Sequence, residues 1–511
     1  MSQMDSSYDV AIVGGGIGGL TCGSYLVTRG CKVLIIEKEP KLGGYVTSFN
    51  RRGFRFDGGA EGLLGCGENG YLRRWLSELG LPDVIRFKRI DPLEFVQIPG
   101  MRFPIHADLS KFQEELYRLL PDEKEGISKF FDNMLKMADE IGRGADRPPK
   151  GPLEMMKYAV KYPTLTNFYG RKHMSFQDVI DEYVQDVRLK IVLGLYCVWL
   201  GIPPWKVPCP VAASILDDVY RKGNYYPEGG MGSLVEQMTK TYVKNGGSLL
   251  LRTTVSKILV EDGRAVGVET EDGRRISSKH VVSNADCKQT FLGLVGEEHL
   301  KQEFLDHIKS IQPSISGVLV FLGVDTDLSD YPSHISYGDN PDTFKILERI
   351  RLNPVDGPIE DNIPGLAIRI SSNLEPSYAP KGKSSVVLLA LTPYNYRDNW
   401  KTGPKRERTS EYRELKKEVA KRLVRMAENA IPDLGEHIEV IDIATPLTFE
   451  RYSWQEKGGW YGPAMDQDLP SQNTPIANLI LAGSNTIGAG VPRAMLSGRQ
   501  AAKRILPEPN A

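Results

Sequence analysis

A glycine-rich segment, GGGIGG at 14–19, lies near the start of the chain between an apolar run and a helix-forming stretch. The apolar run from Tyr8 to Val13 predicts a buried parallel strand, and Leu20 to Thr28 predicts a helix. A second apolar strand is predicted from Cys31 to Ile36, and Glu37 follows it. A strand, a glycine turn, a helix and a second strand within about 30 residues predict a βαβ unit of a Rossmann-like α/β fold.

In a unit of this kind each glycine of the Gly14-x-Gly16-x-x-Gly19 spacing has its own role. The first permits the tight turn, the second lets the backbone approach a pyrophosphate, and the third lets the helix pack closely on the strand. The N-terminus of the helix adds positive potential for the phosphates. Glu37, 23 residues after Gly14, can accept hydrogen bonds from both ribose hydroxyls. The segment therefore predicts a dinucleotide site.

Further glycines bear on the length of the cofactor. Glu37 is followed by a Gly-Gly pair at 43–44, and a second pair ends at Gly59. Near the other end of the chain, a GAGVP turn at 488–492 opens onto the last predicted helix. Bare backbone at these positions suits a cofactor that extends further than NAD. The same positions hold much of the glycine surplus, which is 51 glycines in 511 residues.

Composition excludes several classes of protein. Lys and Arg number 64 and Asp and Glu 65, whereas a general nucleic-acid binder needs a basic excess. The 6 cysteines form no CxxC pair and the 7 histidines lack ligand spacing, so we expect no metal site and a reducing compartment. The longest apolar run, 191–202, is too short to span a membrane, and residues 1–8 lack an export signal. We expect a cytoplasmic protein, either free in solution or peripheral on a membrane surface.

The motifs resemble those of the flavin-containing amine oxidase superfamily, and more closely those of its phytoene desaturase, carotenoid isomerase and retinol saturase group. The matching segments occur in the expected order over nearly the whole chain. They are VAIVGGGIGGL at 10–20, EKEPKLGGYVTSF at 37–49, GFRFDGG at 53–59, YYPEGGMGSL at 225–234, VVSNAD at 281–286, TPLTFERYS at 445–453 and NLILAGSNTIGAGVPRAMLSGRQAA at 478–502.

The resemblance implies that FAD is the tightly bound cofactor, and it assigns a contact to each matching position. The pyrophosphate would lie against Gly14, Gly16, Ile17, Gly18 and Gly19. Glu37 would hold the adenosine ribose with Lys38 beside it, and the backbone of Val255 would hold the adenine. The remaining contacts, from the pyrophosphate to the isoalloxazine ring, would come from Gly43, Gly44, Tyr45, Gly59, Gly483, Ser484, Val491 and Pro492.

The resemblance also implies a discontinuous FAD-binding domain. We expect it to be built from residues 5–107, 220–300 and 440–511. Residues 108–219 and 301–439 would form a mixed α+β substrate domain, in which 108–219 is a helical cap. Phe176, Val179 and Ile180 in the cap recur at helical spacing, which predicts an apolar helix face.

Three side chains are candidates for the reaction itself. Glu61, four residues after Asp57, occupies the position where retinol-saturase-like sequences carry a histidine. We predict that Glu61 lies at the substrate face of the flavin and acts as an acid or base, the alternative being a carboxylate that binds a loop. Trp460 and Tyr461 precede the C-terminal flavin segment, and we expect them either to wall the substrate site or to pack in the core.

A basic and aromatic segment lies within the helical cap. Residues 150–172 hold five basic residues and one acidic residue among many apolar and aromatic ones. Such a mixture is typical of segments that lie in a membrane interface, where cations meet anionic lipids and aromatic rings meet the acyl boundary. A solvated cap over the active site is the alternative.

These features predict an FAD-dependent oxidoreductase that acts on carbon–carbon bonds of a carotenoid- or isoprenoid-like lipid, by desaturation, saturation or cis-trans isomerisation. The redox work belongs to the cofactor, and the protein orients the substrate in a dry site. Tyr45 replaces the arginine that amine oxidases usually carry after the Gly-Gly pair, and residues 486–490 replace a proline-glycine-rich turn of carotene desaturases. Two alternatives stay open: an amine oxidase-type enzyme for a small polar substrate, and a non-catalytic prenyl-lipid-binding protein of the Rab GDP-dissociation-inhibitor type.

Overall fold

The computed structural model describes residues 7–81, 85–144, 152–170, 174–338, 342 and 365–506. The strands in these ranges are β1 Ser7–Val13, β2 Val33–Ile36, β3 Ser48–Arg51, β4 Phe54–Asp57, β5 Leu63–Leu64, β6 Phe87–Arg89, β7 Glu94–Ile98, β8 Met101–Ile105, β9 Asn224–Pro227, β10 Ser248–Leu250, β11 Val255–Glu261, β12 Arg264–Thr270, β13 Arg275–Ser283, β14 Ser316–Val324, β15 His334–Tyr337, β16 Leu366–Ile370, β17 Ser384–Thr392, β18 Ile438–Ala444 and β19 Leu479–Leu481. The longer helices are α1 Ile17–Val27, α2 Tyr71–Glu78, α3 Leu109–Leu119, α4 Lys124–Gly142, α5 Pro152–Lys161, α6 Pro163–Gly170, α7 Phe176–Tyr183, α8 Val187–Gly194, α9 Cys209–Asp217, α10 Met231–Lys244, α11 Gln302–Ser310, α12 Ser410–Ala427, α13 Pro446–Ser453 and α14 Val491–Ile505.

The first large sheet has the strand order β10-β2-β1-β13-β12-β11, with β19 beside β13. Strand β1 pairs in parallel with β2 and with β13, so that Ile36 and Ser283 both lie opposite Val13. The carboxyl ends of these three strands therefore meet at one edge of the sheet. The predicted βαβ unit is confirmed.

Helix α1 crosses this sheet and is buried along its whole length. The C-terminal helix α14 packs directly against it, because Gly498 faces the backbone of Gly18. A Cβ atom at Gly498 would overlap the carbonyl oxygen of Gly18 and would lie 3.0 Å from the amide nitrogen of Cys22. The two helices can therefore approach this closely only with glycine at position 498.

The second large sheet has the order β18-β14-β17-β16-β15-β7-β8. Strand β7 pairs in parallel with β15, and β14 pairs antiparallel with β18. The division of the chain into two domains stays a prediction, but three strands lie elsewhere than we expected. Strands β7 and β8 fall within 5–107 and β18 falls mostly within 440–511, yet all three belong to this second sheet because their hydrogen-bonding partners are there.

The second sheet is covered on one face by helix α12. Its buried stripe includes Tyr412, Leu415, Val419 and Leu423, which share a core with the buried strands β14 and β17. The other face meets the β3–β4 hairpin, whose Phe54 and Phe56 pack against Leu319 and Phe321 of β14. The hairpin thus joins the second sheet to the glycine-bearing loops near the first sheet.

The helices from α3 to α9 form a cap with its own hydrophobic core, to which Val96 of β7 and Phe103 of β8 also contribute. Helix α7 begins with a capping box, in which the side chains of Ser175 and Asp178 bond each other's backbone amides. Phe176, Val179 and Ile180 are buried, as the helical spacing predicts.

Because α14 contacts α1 through Gly498, we expect the substitution Gly498→Ala to destabilise the protein by about 1–3 kcal/mol, as overpacking does in a tight core. Gly142→Ala is the matched control, because Gly142 also lies in a helix but has no atom within 4 Å of an added Cβ. Thermal unfolding at equal flavin loading measures both variants. A midpoint for Gly498→Ala equal to that of Gly142→Ala contradicts this packing.

Candidate functional site

The turn after β1 presents bare backbone at the carboxyl edge of the first sheet. Gly14 has a φ of 90°, and its N–H donates to the carbonyl of Ile36 at 2.9 Å. Helix α1 begins directly after Gly16, and no side chain caps its first turn. Uncapped N–H groups at a helix start attract an anion. A Cβ at Gly19 would overlap the carbonyl oxygen of Gly14, so this turn and helix need glycine at both ends.

Glu37 is fixed between this turn and the strand segment that precedes β11. Its Oε2 accepts from the N–H of Gly15 at 2.7 Å, and its Oε1 accepts from the N–H of Glu39 at 2.9 Å. Burial raises the pKa of Glu37, and these two backbone hydrogen bonds oppose the shift. The backbone carbonyl of Glu37 accepts from the N–H of Thr253, which lies two residues before Val255 at the start of β11. Glu37 and Val255, predicted for the ribose and the adenine, therefore lie in neighbouring segments.

Lys38 points away from the glycine turn. Its Nζ donates to Glu39 Oε1 at 2.8 Å and to the carbonyl of Arg451 at 2.9 Å. The same amine lies 5.7 Å from the ring centre of Trp454. The structure thus directs Lys38 toward the end of helix α13, and a contact of its side chain with a cofactor stays a prediction.

Asn284 is a site residue that we did not predict individually. It follows β13, and its amide fills the space between the glycines of the two ends of the chain. A Cβ added at Gly16 would lie 2.8 Å from Asn284 Nδ2. A Cβ added at Gly18 would lie 2.6 Å from Asn284 Oδ1, and one added at Gly483 would lie 2.5 Å from the same atom. The VVSNAD segment contained the signal, because a polar residue that ends a buried parallel strand lies at the ligand edge of an α/β sheet.

The Gly43–Gly44 pair adds a second stretch of bare backbone. Gly43 donates its N–H to the carbonyl of Gly15 at 2.9 Å, and a Cβ at Gly44 would lie 3.4 Å from the Cα of Gly16. The side chain of Tyr45, in contrast, is used within the protein. Its hydroxyl donates to the carbonyl of Gly459 at 3.1 Å, and its ring stacks on Phe449 at 6.0 Å. Gly59 packs against this ring, with an added Cβ 3.1 Å from Tyr45 Cδ1.

The C-terminal segment closes the site. Gly483 has a φ of 86°, and the following short turn contains Ser484 and the buried Asn485, whose amide bonds the backbone of Ala285 and Cys287. Helix α14 begins at Val491 and Pro492 after Gly490, and its N-terminus is also without a side-chain cap. The uncapped start of α1, the half-buried carboxylate of Glu37 and glycine backbone at 14–19, 43–44 and 483 therefore border one region. Those groups fit the phosphates, the ribose and the long polar chain of FAD.

Glu61 lies in a buried ion-pair cluster with residues of the second sheet. Arg369 of β16 donates from Nε to Glu61 Oε2 at 2.7 Å and from Nη1 to Glu94 Oε1 at 2.8 Å. Burial raises the pKa of Glu94 although Arg369 opposes it. Burial and the neighbouring Arg369 hold the pKa of His334 well below its usual range, so this ring is neutral. Arg369 was not predicted, since 308 positions separate it from Glu61.

Asp57, at the end of β4, is the centre of a second buried polar cluster. It accepts hydrogen bonds from the hydroxyls of Ser48 at 2.6 Å, Tyr378 at 2.7 Å and Tyr226. Burial raises the pKa of Asp57, and these three hydroxyls oppose the shift. Ser48 also accepts from the N–H of Gly232 at 2.8 Å. The carboxylate therefore ties together four segments that surround the loop of Gly58 and Gly59.

A small pocket lies between these two clusters. Its volume is about 20 Å³, which is room for one water-sized group. It is lined by Asp57, Glu61, Tyr226, Ser333, His334, Arg369, Ser371, Leu374 and Val387.

Trp460 and Tyr461 lie where the cap, the second sheet and the C-terminal segment meet. The Trp460 ring packs edge-on against Phe449 at 5.4 Å, and a Cβ at Gly317 would lie 2.6 Å from its Cζ2. The Tyr461 hydroxyl donates to the carbonyl of Val198 in the cap at 3.0 Å. Both rings border an apolar cluster that is centred on Ile315 and Leu391. Core packing is therefore observed for both rings, and their role as a wall of the substrate site stays a prediction.

Within the described ranges, no three His, Cys, Asp or Glu side chains come together in a way that could hold a metal ion. None of the described helices combines the length and the apolar character that crossing a membrane requires.

Comparison with known proteins gives relatives over the full chain. The model of the family described as flavin containing amine oxidoreductase matches residues 17–506. A chloroplastic prolycopene isomerase of an Oncidium hybrid cultivar is 27% identical, and the match covers 98% of this chain and 84% of that protein. A 4,4'-diaponeurosporene oxygenase of Staphylococcus haemolyticus is 26% identical, with 98% and 97% covered. An all-trans-retinol 13,14-reductase of Danio rerio is 24% identical, with 97% and 85% covered.

Solved structures show the same fold. An oxidoreductase from Methanosarcina mazei has a TM-score of 0.65 at 20% identity, covering 97% of this chain and 99% of that one. A triple mutant of putrescine oxidase has a TM-score of 0.63 at 15% identity, covering 98% and 99%. The predicted α/β fold is confirmed by these likenesses.

The geometry around Glu37 predicts a difference between two adjacent residues. We expect Glu37→Gln to weaken FAD binding about 10- to 100-fold, because a charge-assisted hydrogen bond contributes about 1.5–3 kcal/mol. Lys38→Gln should change the affinity less than about 3-fold, because its amine is bound to Glu39 and Arg451. Titration of the deflavinated protein with FAD measures both constants. Equal weakening in the two variants would show that Lys38 contacts the cofactor after all.

Proposed function

Since the chain belongs to the flavin containing amine oxidoreductase family and is an FAD-dependent oxidoreductase, we propose that it acts on a carbon–carbon bond of a carotenoid- or isoprenoid-like lipid. This proposal rests on the similarity, over nearly the full length of the chain, to proteins named for prolycopene, diaponeurosporene and retinol. Each of the three names refers to a polyene, but the reactions that they name differ. The proposal therefore covers desaturation, saturation and isomerisation.

The apolar cluster at Trp460 and Tyr461 supports a lipid substrate. Ile315 and Leu391 are buried there, and Ile191 and Val198 of the cap pack against them. A hydrocarbon chain that lay against side chains of this composition would desolvate few polar groups. Bound FAD supplies the hydride chemistry at the reacting carbon. The residues of this cluster would hold the lipid and keep water away. Glu61 is the residue that we predict to move a proton.

The amine-oxidase alternative receives less support from the site. Tyr45 stands where amine oxidases usually carry an arginine, and its ring and hydroxyl are both occupied within the protein. The complete set of glycines with Glu37 also favours a bound flavin over a lipid carrier without one. We therefore rank the polyene oxidoreductase above both alternatives.

Anaerobic mixing of the FAD-loaded protein with carotenoid and isoprenoid lipids tests the proposal. We expect a lipid of this class to change the flavin spectrum and to yield a product of altered mass or geometry. Glu61→Gln should lower the limiting rate at saturating lipid about 10²-fold if Glu61 moves a proton. Glu236→Gln is its control, because Glu236 is an exposed carboxylate outside the pocket.

Two results would contradict the proposal. Release of hydrogen peroxide with amines, and no response to any lipid, would favour the amine-oxidase alternative. A colourless protein that takes up no FAD on reconstitution would favour a non-catalytic lipid-binding protein.

We further propose that helix α5 places the protein on a membrane surface. Leu153, Met156 and Val160 lie on one face of this helix and are 69%, 69% and 88% exposed. The exposed Lys157 and Lys161 lie on the same helix and can meet anionic lipid headgroups. An apolar stripe that faces outward beside two cations fits a lipid interface better than a solvated cap. Lys150, Arg171 and Lys172 of the predicted basic segment lie outside the described residues.

Flotation with phosphatidylserine-containing liposomes tests this surface. We expect the combined change Leu153→Ser, Met156→Ser and Val160→Ser to reduce the bound fraction at least about 10-fold, because each change removes an apolar anchor. The matched control is Val243→Ser with Ile441→Ser, two apolar residues that are 48% exposed on other elements. Equal flotation of both variants would show that helix α5 is not the membrane contact.

A further inference from the structure

The pocket between Glu61 and Arg369 contains one open acceptor and one open donor. Glu61 Oε2 is occupied by Arg369 Nε, but Oε1 accepts no hydrogen bond from the described residues. Arg369 uses Nε for Glu61 and Nη1 for Glu94, and its Nη2 donates no hydrogen bond within the same ranges. Neither atom is among the buried side-chain atoms that are sealed off without a partner. Both are thus available to a small group in the pocket.

Most of the other polar groups of the pocket already have partners; the hydroxyl of Ser371 has none within the described ranges, but it can turn to donate or to accept and therefore selects no class of group. Asp57 accepts three hydroxyl hydrogen bonds, and one of these comes from Tyr226. His334 pairs through Nδ1 with the hydroxyl of Ser333 at 3.1 Å. The open pair on Glu61 and Arg369 therefore determines which group can bind. A group that both donates and accepts, and is no larger than water, matches the pair and the volume of about 20 Å³.

The charges around the pocket limit which chemical groups can bind in it. Arg369 is flanked by the carboxylates of Glu61 and Glu94, and burial together with Arg369 keeps His334 neutral. The site therefore has no surplus positive charge, and a carboxylate would be repelled by Glu61. A methyl group would leave both open atoms without a partner, which is costly in a buried place. A hydroxyl can donate to Glu61 Oε1 and accept from Arg369 Nη2.

We propose that this pocket binds a hydroxyl group of the substrate, so that the lipid is an oxygenated isoprenoid rather than a pure hydrocarbon. The inference rests on the proposed function, whose substrate class it narrows. Glu61 accepts from the hydroxyl, and Arg369 donates to it while Glu94 holds the guanidinium in place.

The pocket lies close enough to the cofactor site for this role. Glu61 follows Gly59 by two residues, a backbone span of at most about 7 Å. Asp57, which also lines the pocket, directly precedes the Gly58–Gly59 pair. A hydroxyl held by Glu61 thus places the carbon atoms next to it beside the loop that is predicted to line the flavin.

The test compares four all-trans polyenes of twenty carbons that differ only at one end, which is CH2OH, CH2OCH3, CH3 or a carboxylate. Dissociation constants for the FAD-loaded protein come from the shift of the oxidised flavin spectrum under anaerobic conditions. We expect the alcohol to bind at least about 10-fold more tightly than each of the other three. The preference should vanish in Glu61→Leu and persist in Glu236→Gln, which changes an exposed carboxylate outside the pocket.

The outcomes separate this inference from the proposed function. Polyene binding without preference for the alcohol, or tighter binding of the ether, hydrocarbon or carboxylate, overturns the hydroxyl site and leaves the proposed function intact. No response to any polyene overturns both. If Glu61→Leu does not fold, as judged by its flavin spectrum and thermal unfolding, Glu61→Gln replaces it. That variant should then retain less than a third of the preference, and a full preference overturns the inference.

Discussion

The close approach of backbone segments at one edge of the first sheet is the constraint on which the rest of the structure depends. Strands β1, β2 and β13 end at the same level, and the chain must turn into helix α1 without a side chain in the way. The backbone of Gly18 meets Asn284 from β13, Gly483 from the C-terminal segment and Gly498 from α14. A bulkier residue at any of these contacts would separate elements that are distant in sequence, so the cofactor site and the fold share one requirement.

The second sheet is joined to the segments around the loop of Gly58 and Gly59 through buried polar groups as well as through apolar packing. Asp57 gathers hydroxyls from β3, from β9 and from the turn before β17, while Arg369 joins β16 to β7 and to the loop of Glu61. Charges in such positions contribute little net stability, because desolvation opposes the attraction of the pair. They do fix the relative positions of the segments, since an alternative packing would leave a buried carboxylate or guanidinium without a partner.

What the sequence predicts well is local. The βαβ unit and the position of Glu37 follow from spacing within about 30 residues. The glycine contacts are also predictable, because they are made by the backbone and not by side chains whose direction is unknown. Side-chain direction was less predictable: Lys38 and Tyr45 stand at the expected positions, yet their polar atoms bind other parts of the protein. Arg369 could not be found from Glu61, because their contact depends on the pairing of β15 with β7 and β16, which no local pattern specifies.

The same reasoning explains why chemistry at Glu61 cannot be read from the loop that carries it. A carboxylate two residues after a glycine pair that is predicted to bind flavin suggests proton transfer, but its surroundings include Arg369 and, through it, Glu94. An arginine and two carboxylates cost free energy to bury, and the binding of hydrocarbon alone does not require them. A substrate oxygen that completes their hydrogen bonds gives this cluster a use. Under the proposed function, the polar pocket would bind the oxygen of an amphiphilic polyene and the apolar cluster at Trp460 would contact its hydrocarbon chain.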